Sequence, residues 1–241
     1  KLRRHMQIVF QAPSSALNPR MTVGQIIAEP MRAQGMSRST IDARVAELLD
    51  IVGLQARHKQ AFPHQFSGGQ RQRIGTARAL STQPDLLVLD EPVSALDVSV
   101  QAQMVNLFTD LQDNFDIGMI FISHDLTVVR HVSDDVAVMY LGRIVELGSA
   151  AQVLEHPLHP YTEALISAAP GGRVDGRERI KLTGEVPSPI NPPTGCRFRT
   201  RCWKATEQCL KDPPLQVPAG GDHPVACWHP KTSGPTPQQA D

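Results

Sequence analysis

The chain has 241 residues, 41% hydrophobic and 20% charged, with 24 Lys+Arg balanced by 24 Asp+Glu. That composition suits a globular domain with an appendage, and excludes a disordered or fibrous chain. The balanced charge gives no global attraction to nucleic acid or anionic lipid, and no apolar run reaches the roughly 18 to 20 residues that span a bilayer.

The first residues carry no signal peptide, and residues 6–10 read as a strand already in progress, so the chain is expected to be a fragment. Pro13, Ser14, Ser15, Asn18 and Pro19 then mark a loop. Ile26, Ile27, Pro30 and Met31 form an imperfect helical stretch. Ile41, Val45, Leu48, Leu49 and Val52 form a cleaner one that stops at Gly53. A small helical subdomain is expected over about 12–66. From Ser67 the pattern alternates: helix 67–81, strand 86–89, helix 98–114, strand 119–122. It predicts a parallel sheet covered on its faces. Residues 136–140 and 143–146, joined by Leu141-Gly142, read as a hairpin. Beyond about 170, Pro170, Pro187, Pro189, Pro192, Pro193, Pro213 and Pro214 gather with all four cysteines in what reads as a separate, loop-rich module. There is no internal repeat, and the last dozen residues read as disordered.

Four places along this pattern carry chemistry. The run from Leu86 ends in two adjacent carboxylates, Asp90 and Glu91. In an open parallel sheet, ligands collect at the carboxyl ends of strands. Asp90 suits a Mg2+ ion held through water and Glu91 an attacking water, although an acidic turn accounts for the pair taken alone. Ser67, Gly68, Gly69 and Gln70 open a helix with the spacing of a capping box. A cap does not need two glycines, whereas close approach of backbone to phosphate at a helix N-terminus does. Arg71, Arg73 and Arg78 follow and, alone, read as a solvated helix face. Asp97 reads as the N-cap of the next helix. His124 ends the next strand at the same sheet edge as Glu91, where an imidazole can orient a transferring phosphoryl group.

In this order and spacing Gln11, Ser67-Gly68-Gly69-Gln70, Asp90-Glu91, Asp97 and His124 resemble the Q-loop, signature, Walker B, D-loop and switch histidine of ATP-binding-cassette ATPases. The resemblance covers residues 1–150 and implies an α/β nucleotide-binding domain of P-loop type. Further stretches narrow it: Ala16 to Gly24, Phe62 to Gln70, His159 to Leu165 and Gly184 to Pro193 are similar to oligopeptide and dipeptide importer ATPases. Ala12-Pro13 departs from the family, which commonly has an acidic residue after the Q-loop glutamine. The larger departure is that no G-x-x-x-x-G-K-[ST] occurs. Residues 171–177 keep the glycine spacing without the Lys, the Ser/Thr or a preceding strand, and read as a linker. The expected chain is therefore truncated at its N-terminal side, unable to turn over ATP alone, with a signature that acts on nucleotide held by another subunit.

The resemblance implies ATP and Mg2+ as ligands, a second identical or paralogous ATPase subunit, two membrane permeases and an external peptide-binding protein as partners, no nucleic acid, and a place on the cytoplasmic face of the cell membrane. Nickel and glutathione importers share the motifs. A soluble, non-transport cassette ATPase is a further alternative, though this chain has neither tandem cassettes nor a coiled-coil insertion. Residues 151–241 form the expected C-terminal module, with Cys196, Cys202, Cys209 and Cys227 spaced C-x5-C-x6-C-x17-C. A module poor in apolar residues needs a staple, and a reducing compartment disfavours disulfides. Zinc is the generic guess for four thiolates, but zinc sites usually contain tighter pairs, and an iron-sulfur cluster takes four cysteines equally well. The resemblance favours a [4Fe-4S] cluster over Zn2+, because the run from Cys196 to Cys202 is similar to the cluster-bearing tail of peptide-importer ATPases.

Overall fold

The computed structural model describes residues 5–11, 16–169 and 179–231, and its contacts divide the chain into two compact units, 1–128 and 129–241. The Ala12-Pro13 departure, the linker at 171–177 and the tail beyond 231 lie outside the described residues.

The first unit is built on a three-stranded parallel sheet, β1 (Met6–Val9), β2 (Leu86–Asp90) and β3 (Gly118–Ile122), with β2 in the middle. The register pairs Ile8 with Val88 and Val88 with Ile120. Side chains alternate across a strand, so Val9, Leu87 and Leu89 point one way and are buried. Met6, Ile8, Ile120 and Ile122 point the other way and are exposed. Cover on both faces, as expected of a parallel sheet, is therefore found on one face among the described residues.

The helices are α1 (Val23–Ala33), α2 (Arg38–Ile51), α3 (Gly68–Leu80) and α4 (Val98–Phe115), with short 3-10 turns at Ala56–Gln60 and Pro63–Gln65. Each helix starts at a residue whose side chain meets an otherwise unpaired amide: Thr22, Ser37, Ser67 and Asp97. Ile26, Ile27, Met31, Val45, Leu48, Leu49 and Ile74 close a helical core. Gly53, at φ +68°, ends the turn after α2, where only glycine is unstrained. The run 67–81 is not a solvated face of arginines. Arg71 donates to Phe66 O at 3.0 Å, Arg73 to Val52 O at 2.7 Å and Arg78 to Ala16 O at 2.6 Å. The three guanidinium groups stitch α3 to neighbouring carbonyls, which periodicity alone could not reveal.

The boundary between the units falls within α5 (Leu126–Val132). An antiparallel hairpin, β4 (Asp135–Tyr140) and β5 (Arg143–Ser149), turns through Leu141 and Gly142, both with φ above +40°. Helices α6 (Ala150–Glu155) and α7 (Pro160–Ala168) follow. Phe198, from the cysteine-bearing tail, is 1% exposed and lies 5.3 Å from the Tyr140 ring and 5.4 Å from the Tyr161 ring. Tail and hairpin thus share one core with Val136, Val138, Val145 and Val153. The tail also lengthens the sheet edge, Leu147 N donating to Pro224 O and Ala226 N to Val145 O. Glu146 of β5 is wholly buried. It accepts from Leu158 N at 2.6 Å, His159 N at 3.0 Å and His223 Nε2 at 2.7 Å, while Asp222 Oδ1 lies 2.6 Å from His223 Nδ1.

Candidate active site

At the carboxyl end of β2 the chain leaves the strand through Glu91, which has φ +43°. A residue with a Cβ in the left-handed region is strained by about 1–3 kcal/mol and is found where the surrounding structure holds it. Here the hold is visible. Glu91 N donates to Ile122 O at 3.0 Å, extending the β2–β3 pairing, and Ser94 Oγ donates to Glu91 O at 3.1 Å. The carboxylate is gripped at both oxygens, with Gln11 Nε2 2.7 Å from Oε2 and His124 Nδ1 3.2 Å from Oε1. Gln11 arrives from the end of β1, Glu91 from β2 and His124 from β3, so three neighbouring strand ends converge on one half-buried carboxylate. Asp90, the residue before it, is half-buried, and no donor to its carboxylate occurs among the described residues.

The other motif residues form a second cluster. Ser67 Oγ accepts from Gln70 N at 3.3 Å, and Gln70 Oε1 accepts from Ser67 N at 3.1 Å, completing the capping box. The two glycines differ in purpose. A Cβ on buried Gly69 would lie 2.3 Å from Val100 Cγ1, whereas one on exposed Gly68 would meet only Leu96 Cδ2, at 3.7 Å. Gly69 is therefore required by the packing of α3 against α4, and Gly68 alone is left to explain by close approach of a ligand. Asp97 caps α4 through Val100 N at 3.0 Å and accepts from Ser99 Oγ at 2.8 Å. The Val100 amide, then the Ser99 hydroxyl, hold its carboxyl below the usual range. Ser67 to Gln70 and Asp97 thus lie at the α3–α4 contact, while Gln11, Glu91 and His124 meet at the strand ends.

The four cysteines lie in the second unit, all as free thiols; Cys209 is buried and the others half-buried. Burial pushes the Cys196 and Cys202 thiols up and takes Cys227 to about 12. Lys204 N donates to Cys202 Sγ at 3.4 Å and His229 N to Cys227 Sγ at 3.3 Å. Among the described residues no group of three or more His, Cys, Asp or Glu side chains is placed to hold a metal ion, so the four cysteines expected to be ligands are not assembled into a metal site.

Sequence reasoning did not find Gln101 or Asp125, which pair behind His124. It also missed the buried Glu146 and His223, whose seventy-seven-residue separation leaves no local signal.

A parallel sheet with motif residues at its strand ends, flanked by a helical subdomain, defines a nucleotide-binding ATPase of the cassette type. The comparisons agree. The ABC transporter family model matches residues 1–94, and that of the oligopeptide/dipeptide transporter C-terminal region matches 145–209. The chain is 52% identical over 229 residues to the dipeptide transport ATP-binding protein DppF of Haemophilus influenzae, covering 94% of this chain and 70% of that protein. It is 51% identical to the oligopeptide transport ATP-binding protein AppF of Bacillus subtilis, with 94% and 70% covered. It is 52% identical to OppF of Escherichia coli, with 94% and 69% covered. Among solved structures, CbiO1 of Clostridium perfringens, part of the ABC transporter complex CbiONQ, superposes with a TM-score of 0.59 at 29% identity, over 64% of this chain and 61% of that one. The chain belongs to the ATP-binding-cassette ATPases of the oligopeptide/dipeptide transporter family.

Proposed function

We propose that this chain serves the ATP-hydrolysing, energy-coupling subunit of an importer of dipeptides or oligopeptides. The observation that carries the reading is the Glu91 carboxylate, set by a strained backbone at a strand end and held at both oxygens by Gln11 and His124. Positioning and electrostatics supply nearly all the catalysis in phosphoryl transfer, and a carboxylate with fixed oxygens can take a proton from an attacking water without reorganising. Glu91 is the base in this reading, Gln11 fixes one of its oxygens, and His124 orients the other and faces the transferring group. Asp90 would hold Mg2+ through water, where the ion would neutralise charge on the phosphates. Ser67, Gly68, Gly69 and Gln70 form the helix N-terminus offered to nucleotide on a second ATPase subunit, with Asp97 at the same contact.

Two permease subunits, receiving the helical part at 12–66, and an external peptide-binding protein complete the assembly. It sits peripherally on the cytoplasmic face of the membrane, and no helix among the described residues is long and apolar enough to cross one. Nucleotide chemistry is assigned to residues 1–150 and the cysteine-bearing part to 151–241, although the compact units divide at 128. The test is Glu91→Gln in the assembled transporter. ATP-dependent pairing of the ATPase subunits persists while hydrolysis falls at least a hundredfold; near-normal turnover removes Glu91 from its role.

Cys196, Cys202, Cys209 and Cys227 would hold a [4Fe-4S] cluster. What supports this reading is the sequence: four cysteines fall in one tail poor in apolar residues, and their C-x5-C-x6-C-x17-C spacing lacks the tight pairs usual at zinc sites. A cluster spreads its ligands over several irons. Its role would be structural or redox-sensing rather than catalytic. Anaerobic purification decides between them: a brown protein with iron and sulfide, bleached by Cys202→Ser, supports the cluster, and a colourless protein with stoichiometric zinc overturns it.

A further inference from the structure

Behind His124 lies a pair that the proposed mechanism has not used. Gln101, one turn into α4, donates from Nε2 to Asp125 Oδ2 at 3.0 Å in a partly buried contact. The other oxygen of Asp125 accepts from Thr127 N at 2.9 Å and Val128 N at 3.4 Å, capping α5, and its own backbone N donates to Ser123 Oγ at 3.0 Å. Burial works against the charge of Asp125, but the Gln101 amide and the two backbone amides outweigh it, and its carboxyl titrates below the usual range. Asp125 is thus fixed on three sides as an anion.

His124 is its immediate neighbour and has no comparable hold of its own. Its side chain is 74% exposed, and its one polar contact among the described residues is the 3.2 Å contact with Glu91. What sets the His124 backbone is the pinned Asp125 on one side and the end of β3 on the other. Gln101 is the only described side chain outside the 123–128 segment that holds Asp125, and it belongs to the helix that Asp97 caps. A shift of the α4 N-terminus therefore carries Gln101 with it and moves the anchor of the histidine that grips Glu91.

We infer that Gln101 is a positioning residue for hydrolysis, acting through Asp125 to hold His124 against Glu91 and so linking the state of the Asp97 end of α4 to the proton-accepting carboxylate. This rests on the proposed role of Glu91 and His124, and deepens it by naming how the site is gated. Losing one hydrogen bond to a charged group implies about a tenfold fall in rate.

The experiment uses the assembled transporter and compares Gln101→Leu in two backgrounds. In the parent background kcat falls about tenfold while KM for ATP stays within twofold. In a His124→Ala background, Gln101→Leu has no further effect, because the group it positions is gone. Gln101→Glu, which sets a like charge against Asp125, falls further than Leu, and Gln101→Asn, which keeps the amide, recovers part of the loss. Wild-type kcat in Gln101→Leu overturns the inference, as does an equal fall in both backgrounds, which is what general loss of α4 packing produces. Failure of the underlying reading looks different, since Glu91→Gln would then still hydrolyse ATP.

Discussion

Gly69→Ala separates packing from ligand approach at the signature helix. Its new Cβ would sit 2.3 Å from Val100 Cγ1, against an optimal carbon-carbon separation of about 3.5–4.0 Å, so more than an ångström must be found. Val100 is β-branched and stiff within a helix, and its amide is tied to Asp97. Overpacking of this kind costs about 1–3 kcal/mol, and the better helix propensity of alanine returns up to about 1 kcal/mol. The net loss is about 1–2 kcal/mol, or a Tm drop of about 2–8 °C for a domain of this size. Gly68→Ala meets only ordinary contact and leaves Tm unchanged or slightly raised, while weakening ATP-dependent pairing of the subunits. Thermal unfolding of the two variants and of Gly69→Ala combined with Val100→Ala reads this out. If Gly69→Ala melts with the parent, or Val100→Ala fails to restore it, the packing argument is wrong.

In the second unit, His223→Ala strips the wholly buried Glu146 of its imidazole partner. Leu158 N and His159 N still donate to the carboxylate, so the loss of one buried partner costs about 1–3 kcal/mol, and adding Glu146→Gln should recover part of that loss in denaturant unfolding. Burial, with Lys204 as the lesser cause, lowers His159 from 6.5 to about 4. Between those values the unfolded chain binds the proton and the native chain does not. His159 therefore contributes stability that is present above pH 6.5 and is lost as pH falls toward 4, by about 3 kcal/mol at most. His159→Asn keeps a side chain that can cap α7 without titrating, and flattens that limb of the stability profile. An unchanged slope between pH 4.5 and 6.5 would place the titration elsewhere.

Much of the first unit could be read from its residues because its signals are local. Ser67 and Gln70 stand at capping-box spacing, Gly53 stops a periodic run, and the apolar run to Asp90 and Glu91 is both strand and ligand edge. The structure adds Asp90 to β2, Gly118 to β3 and 147–149 to β5, differences of a few residues where strand pairing outlasts the apolar pattern. What could not be read depends on contacts across long separations. The positive φ of Glu91 exists because β3 and Ser94 hold it. The packing need of Gly69 exists because Val100 is its neighbour, and the arginines of α3 find their carbonyls at positions 16, 52 and 66. The cysteine tail looked too poor in apolar residues to fold by itself, and it borrows its core from the hairpin through Phe198.

ATP-driven uptake of a labelled tripeptide into proteoliposomes bearing the assembled transporter tests the central claim most directly, with parent and Glu91→Gln protein measured side by side. The parent accumulates peptide only with ATP, and Glu91→Gln accumulates none while still pairing its ATPase subunits on nucleotide. Uptake by Glu91→Gln at the parent's rate would contradict the account, since transport would then not be drawing on hydrolysis at this carboxylate.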